Sequence, residues 1–260
     1  MAIRILVLLL AILAGAAKAQ PAPYRHIPGT ELRSVLPADS NSATTRVAAF
    51  ELRERPVTNG EFLAFVQRRA QWQRGRAPAV FADERYLGHW TTLNAPAATS
   101  RHSPVTQVSW FAAQAFCESE QARLPTWHEW ELAAAADETR KDARDDPAWR
   151  ERILSWYSRP ATESLPPVGK TPPNVYGIHD LHALIWEWVD DHAGMMVSSD
   201  NREQGDPDLL KFCGAGALKV ADRENYAILM RIALLSSLQA KNTTNSLGFR
   251  CARDLPGKAR

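Results

Sequence analysis

Cysteine is scarce in this chain, with three in 260 residues at positions 117, 213 and 251. That excludes a disulfide-dense mini-scaffold and any four-cysteine metal knuckle. Charge of either sign is not in surplus. The formal net charge is +2, and Arg4 and Lys18 fall in an N-terminal stretch set apart below, which leaves 29 basic and 29 acidic residues. A balanced surface of this kind gives no electrostatic footprint for nucleic acid. Beyond residue 20 no apolar run approaches the roughly 20 residues needed to cross a bilayer. No GxSxG occurs, and Ser109 and the Ser198-Ser199 pair stand in no catalytic motif, so serine-type hydrolysis has no support. The histidines, at 26, 89, 102, 128, 179, 182 and 192, form no HxxxH or HxxxE…H ligand pattern. His179 and His182, at i and i+3, come nearest and read as packing or surface histidines.

What is present is an ordinary globular balance, 45% apolar and 23% charged, with an unusual load of nine Trp and 17 Pro. That combination suggests a loop-rich domain pinned by large aromatics rather than a helical bundle. Residues 1–19 read as a leader: Arg4, then an unbroken apolar run from Ile5 to Leu13, then Ala17-Lys18-Ala19 as a small-x-small cleavage site before Gln20. No Cys follows that site, so a lipid anchor is not expected. The expected compartment is periplasmic or secreted, and the short leader favours a bacterial periplasm. There two of the three cysteines can pair, and the sequence alone leaves three pairings open.

Residues 20–45 read as an irregular segment, and residues 46–53 as a strand. Thr58 or Asn59 can cap a helix that carries Phe62, Phe65 and Val66 on one face. Residues 70–103 lack periodicity and read as a long loop. Ser109 caps a second helix running to about 121. Thr126 with Glu129 forms a capping box that starts a third. Residues 137–152 are charge-rich and read as a solvated surface segment. From 153 onward, apolar pieces separated by Pro, Gly and Asn suggest irregular chain with short strands. Buried Arg123 and Arg250 would need partners, for which Glu129, Glu131 and Glu187 are candidates.

Five blocks stand in a telling order: Arg55-Pro56-Val57-Thr58-Asn59 with Phe62 and Phe65; Pro104-Val105 through Val108-Ser109-Trp110 to Phe116-Cys117; Arg123-Leu124-Pro125-Thr126 with Glu129-Trp130-Glu131; Pro173-Asn174, Tyr176-Gly177-Ile178, Asp180-Leu181 and Trp186-Glu187-Trp188; and Leu247-Gly248-Phe249-Arg250-Cys251. Over roughly residues 48–253 they resemble the sulfatase-modifying-factor family, the formylglycine-generating enzymes and their relatives. The resemblance implies an α+β, loop-rich, C-type-lectin-like fold over 46–255, and a structural disulfide between Cys117 and Cys251.

The resembling enzymes hold copper with two Cys in the segment before the terminal block, and two thiolates suit Cu(I). Counted back without gaps, those positions are Asp222 and Ala227 here, and Arg231 falls on a basic position. The segment holds only Cys213, so the two-thiolate mechanism is not available. The family's usual Gly-Asn ahead of the Trp-Glu-Trp block is Ala183-Leu184, which removes a calcium-ligand oxygen. Another family branch forms sulfoxides at a non-haem iron, but its ligands sit on a helical domain for which this chain has no room. By analogy with the family groove, the loop 190–213 and the segment 221–231 should face each other across a cleft lined by His192, Asp222, Arg223 and Arg231. His192, Met195, Met196 and Cys213 supply imidazole, thioether and thiol groups, a donor set that copper prefers.

The resulting expectation is a periplasmic family member without formylglycine chemistry, acting as a binding or maturation accessory for a secreted protein or peptide client. The alternatives are a divergent oxidoreductase resting on Cys213 with a metal or external cofactor, and a copper-binding accessory to a periplasmic cuproenzyme.

Overall fold

The computed structural model describes residues 22–36, 44–158, 164–182, 184–194 and 226–255. In chain order the elements are β1 (Tyr24–Ile27), β2 (Thr30–Leu32), β3 (Thr45–Val47), β4 (Phe50–Arg53), α1 (Asn59–Arg68), α2 (Trp110–Ser119), α3 (Trp127–Ala134), α4 (Pro147–Tyr157), β5 (Trp186–Glu187), α5 (Tyr226–Ser236), β6 (Leu247–Gly248) and β7 (Ala252–Asp254). The architecture is α+β, with short strands and much irregular chain.

β4 is the centre of an antiparallel three-stranded sheet, with β1 on one edge and β7 on the other. Tyr24 lies opposite Arg53, and Phe50 opposite Asp254. The first and last strands of the fold are thus stitched to one central strand. β2 and β3 make an antiparallel ribbon, and β5 and β6 a short parallel pair. The expected single strand over 46–53 is two, broken at Ala48-Ala49. The segment expected to be irregular, 20–45, supplies β1 and β2. Only Ile27 and Leu32 are buried in these strands. They therefore lack the alternating apolar signal of a half-buried strand and are held by backbone pairing.

The first three helices start where their caps place them. Thr58 Oγ1 accepts from Glu61 N at 3.2 Å, and the Glu61 carboxylate accepts from Thr58 N at 2.8 Å. The Thr126–Glu129 box does the same for α3. Ser109 Oγ accepts from Ala112 N at the start of α2. Each cap satisfies backbone donors that the first helical turn leaves open. Between α1 and α2 the long loop is ordered mainly by turns and two 3-10 pieces.

Two helices depart from expectation. The charge-rich stretch 137–152 is not simply solvated: Asp146 caps α4, Pro147 sits in its first turn, and Trp149 and Ile153 are buried. Two apolar residues four apart are enough to seat a helix whose other faces are charged. The region after 153 contains α5, an apolar run with little polar alternation. Such a run forms a buried helix, and its periodicity alone does not separate it from strand.

The core is aromatic. Phe62 stacks on Phe116 at 5.8 Å, and Phe249 meets Phe116 edge-on at 5.4 Å. Beside them Cys117 is bonded to Cys251, with Cα atoms 5.5 Å apart at a sequence separation of 134. Closing a loop of that length removes roughly 4–5 kcal/mol of unfolded-state entropy in the chain-entropy model.

Below the aromatics runs a buried ionic spine. Arg250 donates through Nε and Nη2 to the two oxygens of Glu187, each at 2.8 Å, and both side chains are fully buried. Trp130 Nε1 donates to the same carboxylate at 2.9 Å. The remaining Arg250 capacity goes to the carbonyls of Arg53, Glu54 and His179. Arg123 grips Glu129 with two bonds of 2.6 Å, and Arg144 reaches buried Glu131 at 3.3 Å. At the turn 174–177, Gly177 takes φ +78°, a backbone region that glycine enters without a side-chain clash.

Removing one partner of a fully buried pair leaves the other charge uncompensated, at a cost of about 3–5 kcal/mol. Glu187→Gln is therefore expected to lower unfolding free energy by that amount in urea denaturation. A loss below about 1 kcal/mol would mean that the pair behaves like an exposed one.

Candidate functional site

The region that the resemblance points to is built from β5, the turn after it and α5. β5 and Trp188 lead into the 3-10 turn His192–Gly194, against which α5 packs. The structure thus brings His192 and Arg231 into one neighbourhood, both of them buried.

His192 is only 4% exposed. Its ring lies 4.8 Å from that of Trp188 and 6.0 Å from that of Trp110, and its Nδ1 has no hydrogen-bond partner. Burial pulls its pKa down, against the charge of Asp190 and the Val189 backbone. Arg231 is 1% exposed. Its guanidinium sits 3.5 Å from the ring centre of Trp130, a cation–π contact, and Nη2 donates to the Glu187 carbonyl. Its Nε has no partner, and burial lowers its pKa to about 10. Both side chains are packed inward, while most of the two segments expected to form the groove, 190–213 and 221–231, lies outside the described residues. α5 presents an almost wholly apolar surface to the core, and Arg231 is taken in with it onto an indole face.

The other expected site residues, Asp222, Arg223, Met195, Met196 and Cys213, lie outside the described residues. Ala227, at one of the two positions counted for the family's cysteines, is described. It packs in a small apolar cluster with Ala143, Trp149 and Ile153, beside Trp156 and Tyr157. Tyr157 in turn stacks on Trp186 at 5.0 Å. Burial raises its pKa to about 12, against the charge of Arg231. α4 therefore lies over both α5 and the first Trp of the Trp-Glu-Trp block. Sequence reading missed this cover because 137–152 was weighed by its charge. The spacing of Trp149, Ile153 and Trp156 was the available signal.

His179 and His182 are spoken for locally. His179 Nδ1 contacts the Thr171 carbonyl at 2.7 Å, and His182 Nε2 donates to the Ala134 carbonyl at 2.7 Å. The His182 ring is edge-on to Trp130 and Trp149, at 5.6 and 5.5 Å. Among the described residues no three His, Cys, Asp or Glu side chains converge as metal ligands, and no helix is long and apolar enough to cross a membrane.

The pKa of His182 is lowered to about 4, chiefly by burial, with Arg231, Arg152 and Arg250 opposing a further positive charge. Its unfolded value is about 6.5. Between these values the unfolded chain binds the extra proton, so this group's contribution to stability is present above about 6.5 and is lost as pH falls toward about 4. Urea midpoints measured across that window should fall less steeply in His182→Phe than in the parent protein. Equal slopes, or a ring titrating near 6.5 by NMR, would contradict the assignment.

The chain has relatives among known proteins. A formylglycine-generating enzyme of Streptomyces coelicolor is 29% identical in a match that covers 84% of this chain and 83% of that protein. The inactive C-alpha-formylglycine-generating enzyme 2 of Mus musculus is 24% identical over 88% of this chain and 82% of its own length. Against the formylglycine-generating enzyme of Bos taurus, 27% identical over 64% of this chain, the match spans about half of the relative, 49%. The crystal structure of CarF shares the fold at a TM-score of 0.50 and 15% identity, covering 90% of this chain and 99% of that one. Residues 11–255 match the model of the sulfatase-modifying factor enzyme 1-like domain, and the chain belongs to that family.

Proposed function

We propose that this protein is a periplasmic accessory that holds a protein or peptide client and does not oxidise it to formylglycine. The observation that carries the reading is the disulfide. Cys117 and Cys251 are consumed in it, so of three cysteines only Cys213 remains as a thiol. One chain then cannot supply two thiolates to one copper ion, and the residues do not fit that site. Ala227, closed into its apolar cluster, supports the same reading. So do two relatives that carry the name inactive C-alpha-formylglycine-generating enzyme 2. The leader at residues 1–19 motivates the compartment.

A second reading, a copper-binding accessory, is favoured by the buried, unpartnered Nδ1 of His192. In that reading Met195, Met196 and Cys213 would supply the softer donors. One preparation distinguishes the outcomes. Mature protein is incubated with copper, oxygen, reductant and a Cys-x-Pro-x-Arg peptide, and the peptide is followed by mass and by its binding to the protein. The expected result is a bound peptide of unchanged mass. Turnover above a copper-only control would overturn the proposal and point to a one-thiolate reaction through Cys213. Absence of peptide binding would remove the client groove. Copper retained against a chelator, and lost in Cys213→Ser, would favour the second reading.

A further inference from the structure

Three of the six large hydrophobic side chains that stand exposed among the described residues lie on the loop between α1 and α2: Val80 at 67%, Leu93 at 61% and Phe81 at 39%. Exposed apolar residues scattered singly need no explanation, but a group of them does. The loop brings them to the borders of one short segment, residues 72–76. The Phe81 ring lies 6.2 Å from that of Trp72 and 5.1 Å from that of Phe111. Leu93 comes against Gly75, where an added Cβ would sit 4.0 Å from Leu93 Cδ2. The segment is pinned from beneath. Trp72 packs on the core, its carbonyl accepts from Tyr86 Oη at 3.0 Å, and Arg74 donates to the Trp90 carbonyl at 2.8 Å. The apolar side chains therefore project from a fixed base.

The same segment carries a local surplus of positive charge. Residues 68–76 read RRAQWQRGR, four arginines and no carboxylate in nine positions. Among the described residues none of these four, Arg68, Arg69, Arg74 and Arg76, forms an ion pair. From 77 to 95 the acidic residues are Asp83 and Glu84, with Arg85 beside them. Asp83 is drawn away from the segment, accepting from the Thr243 backbone and hydroxyl at 2.9 and 2.5 Å. Across 68–95, five arginines thus stand against two carboxylates in a chain that is otherwise balanced.

The two features together select the partner. A side chain about two-thirds open is a projection and not the wall of a groove, so it suits a partner without fixed shape. The unpaired guanidinium groups around it require that partner's surface to be anionic, and they match phosphate oxygens in geometry as well as charge. A bilayer with anionic headgroups meets both demands, since apolar tips enter the acyl boundary while arginines stay at headgroup level. We propose that this loop seats the protein on the surface of an anionic lipid bilayer, with Val80, Phe81 and Leu93 inserted and Arg68, Arg69 and Arg76 on the headgroup phosphates. The proposal stands apart from the client reading above, because it uses none of that groove's residues.

The test is vesicle co-sedimentation of the mature protein, which lacks the apolar run of residues 5–13. The vesicles are phosphatidylcholine alone, and phosphatidylcholine with an equal amount of phosphatidylglycerol. Binding should be strong on the anionic vesicles, weak on the neutral ones, and reduced as salt screens the headgroup charge. Arg76→Ala should weaken it about fivefold, the worth of one arginine at an anionic surface. Val80→Ser should weaken it about tenfold, through the apolar area no longer inserted. Both positions are exposed, so both variants should keep the parent's urea midpoint. A blue shift of tryptophan emission on vesicle binding, smaller in Val80→Ser, would support entry of the loop into the boundary. No binding to anionic vesicles at low salt, equal binding to the two compositions, or binding that neither variant weakens would overturn the proposal. Retention on poly-glutamate without vesicle binding would also overturn it, and would assign the face to an acidic protein.

Discussion

The carboxylate of Glu187 is the point on which the fold depends. Its two oxygens take Arg250 Nε and Nη2 and Trp130 Nε1, and its carbonyl takes Arg231. One residue of β5 therefore fixes the end of the chain, the third helix and the fifth helix relative to one another. Burying an ion pair is costly unless every lone pair and proton finds a partner. Here Arg250 satisfies that condition through three further carbonyls. Arg231 is the surplus cation of the cluster. The carboxylate is already committed, so Arg231 is held by a backbone oxygen and the face of Trp130, and its lowered pKa reflects that weaker compensation.

That spine and the Cys117–Cys251 bond set the scaffold, so the family fold holds independently of which residues carry its chemistry. Fold and site are separable in this way whenever the framework is carried by side chains other than the reacting ones. The five blocks that carry the resemblance are largely framework: Thr58 and Thr126 are caps, Trp130 and Trp188 are core, and Arg123, Glu187 and Arg250 are ion pairs. α4 adds a feature of its own. By seating Trp149, Ile153 and Tyr157 over α5 and Trp186, it closes apolar surface around Ala227. Trp149 and Ile153 also line a cavity that reaches Leu181 and His182.

Legibility in the sequence followed the physics of each element. α1, α2 and α3 could be placed because a hydroxyl cap and, twice, a glutamate three residues on are local signals. That Arg123 and Arg250 would find partners among Glu129, Glu131 and Glu187 was foreseeable because a buried guanidinium needs a carboxylate or carbonyl, but which carboxylate each takes was not. α5 was not legible, since an apolar run without polar alternation carries no period to read. α4 was obscured by its charges, and β1 and β2 by having one buried side chain each. The inward turn of His192 and Arg231 was beyond sequence reasoning. It depends on which indole faces lie within reach, and long-range packing alone decides that.

The functional account comes down to how many thiols the folded chain can offer. Quantifying free thiols in mature protein unfolded without reductant measures this directly. One thiol per chain, mapped to Cys213, is the predicted result, with Cys117 and Cys251 recovered as a linked pair of peptides. Three free thiols, or a bridge that contains Cys213, would contradict the account, because the chain could then present cysteines that the fold is held to have withdrawn.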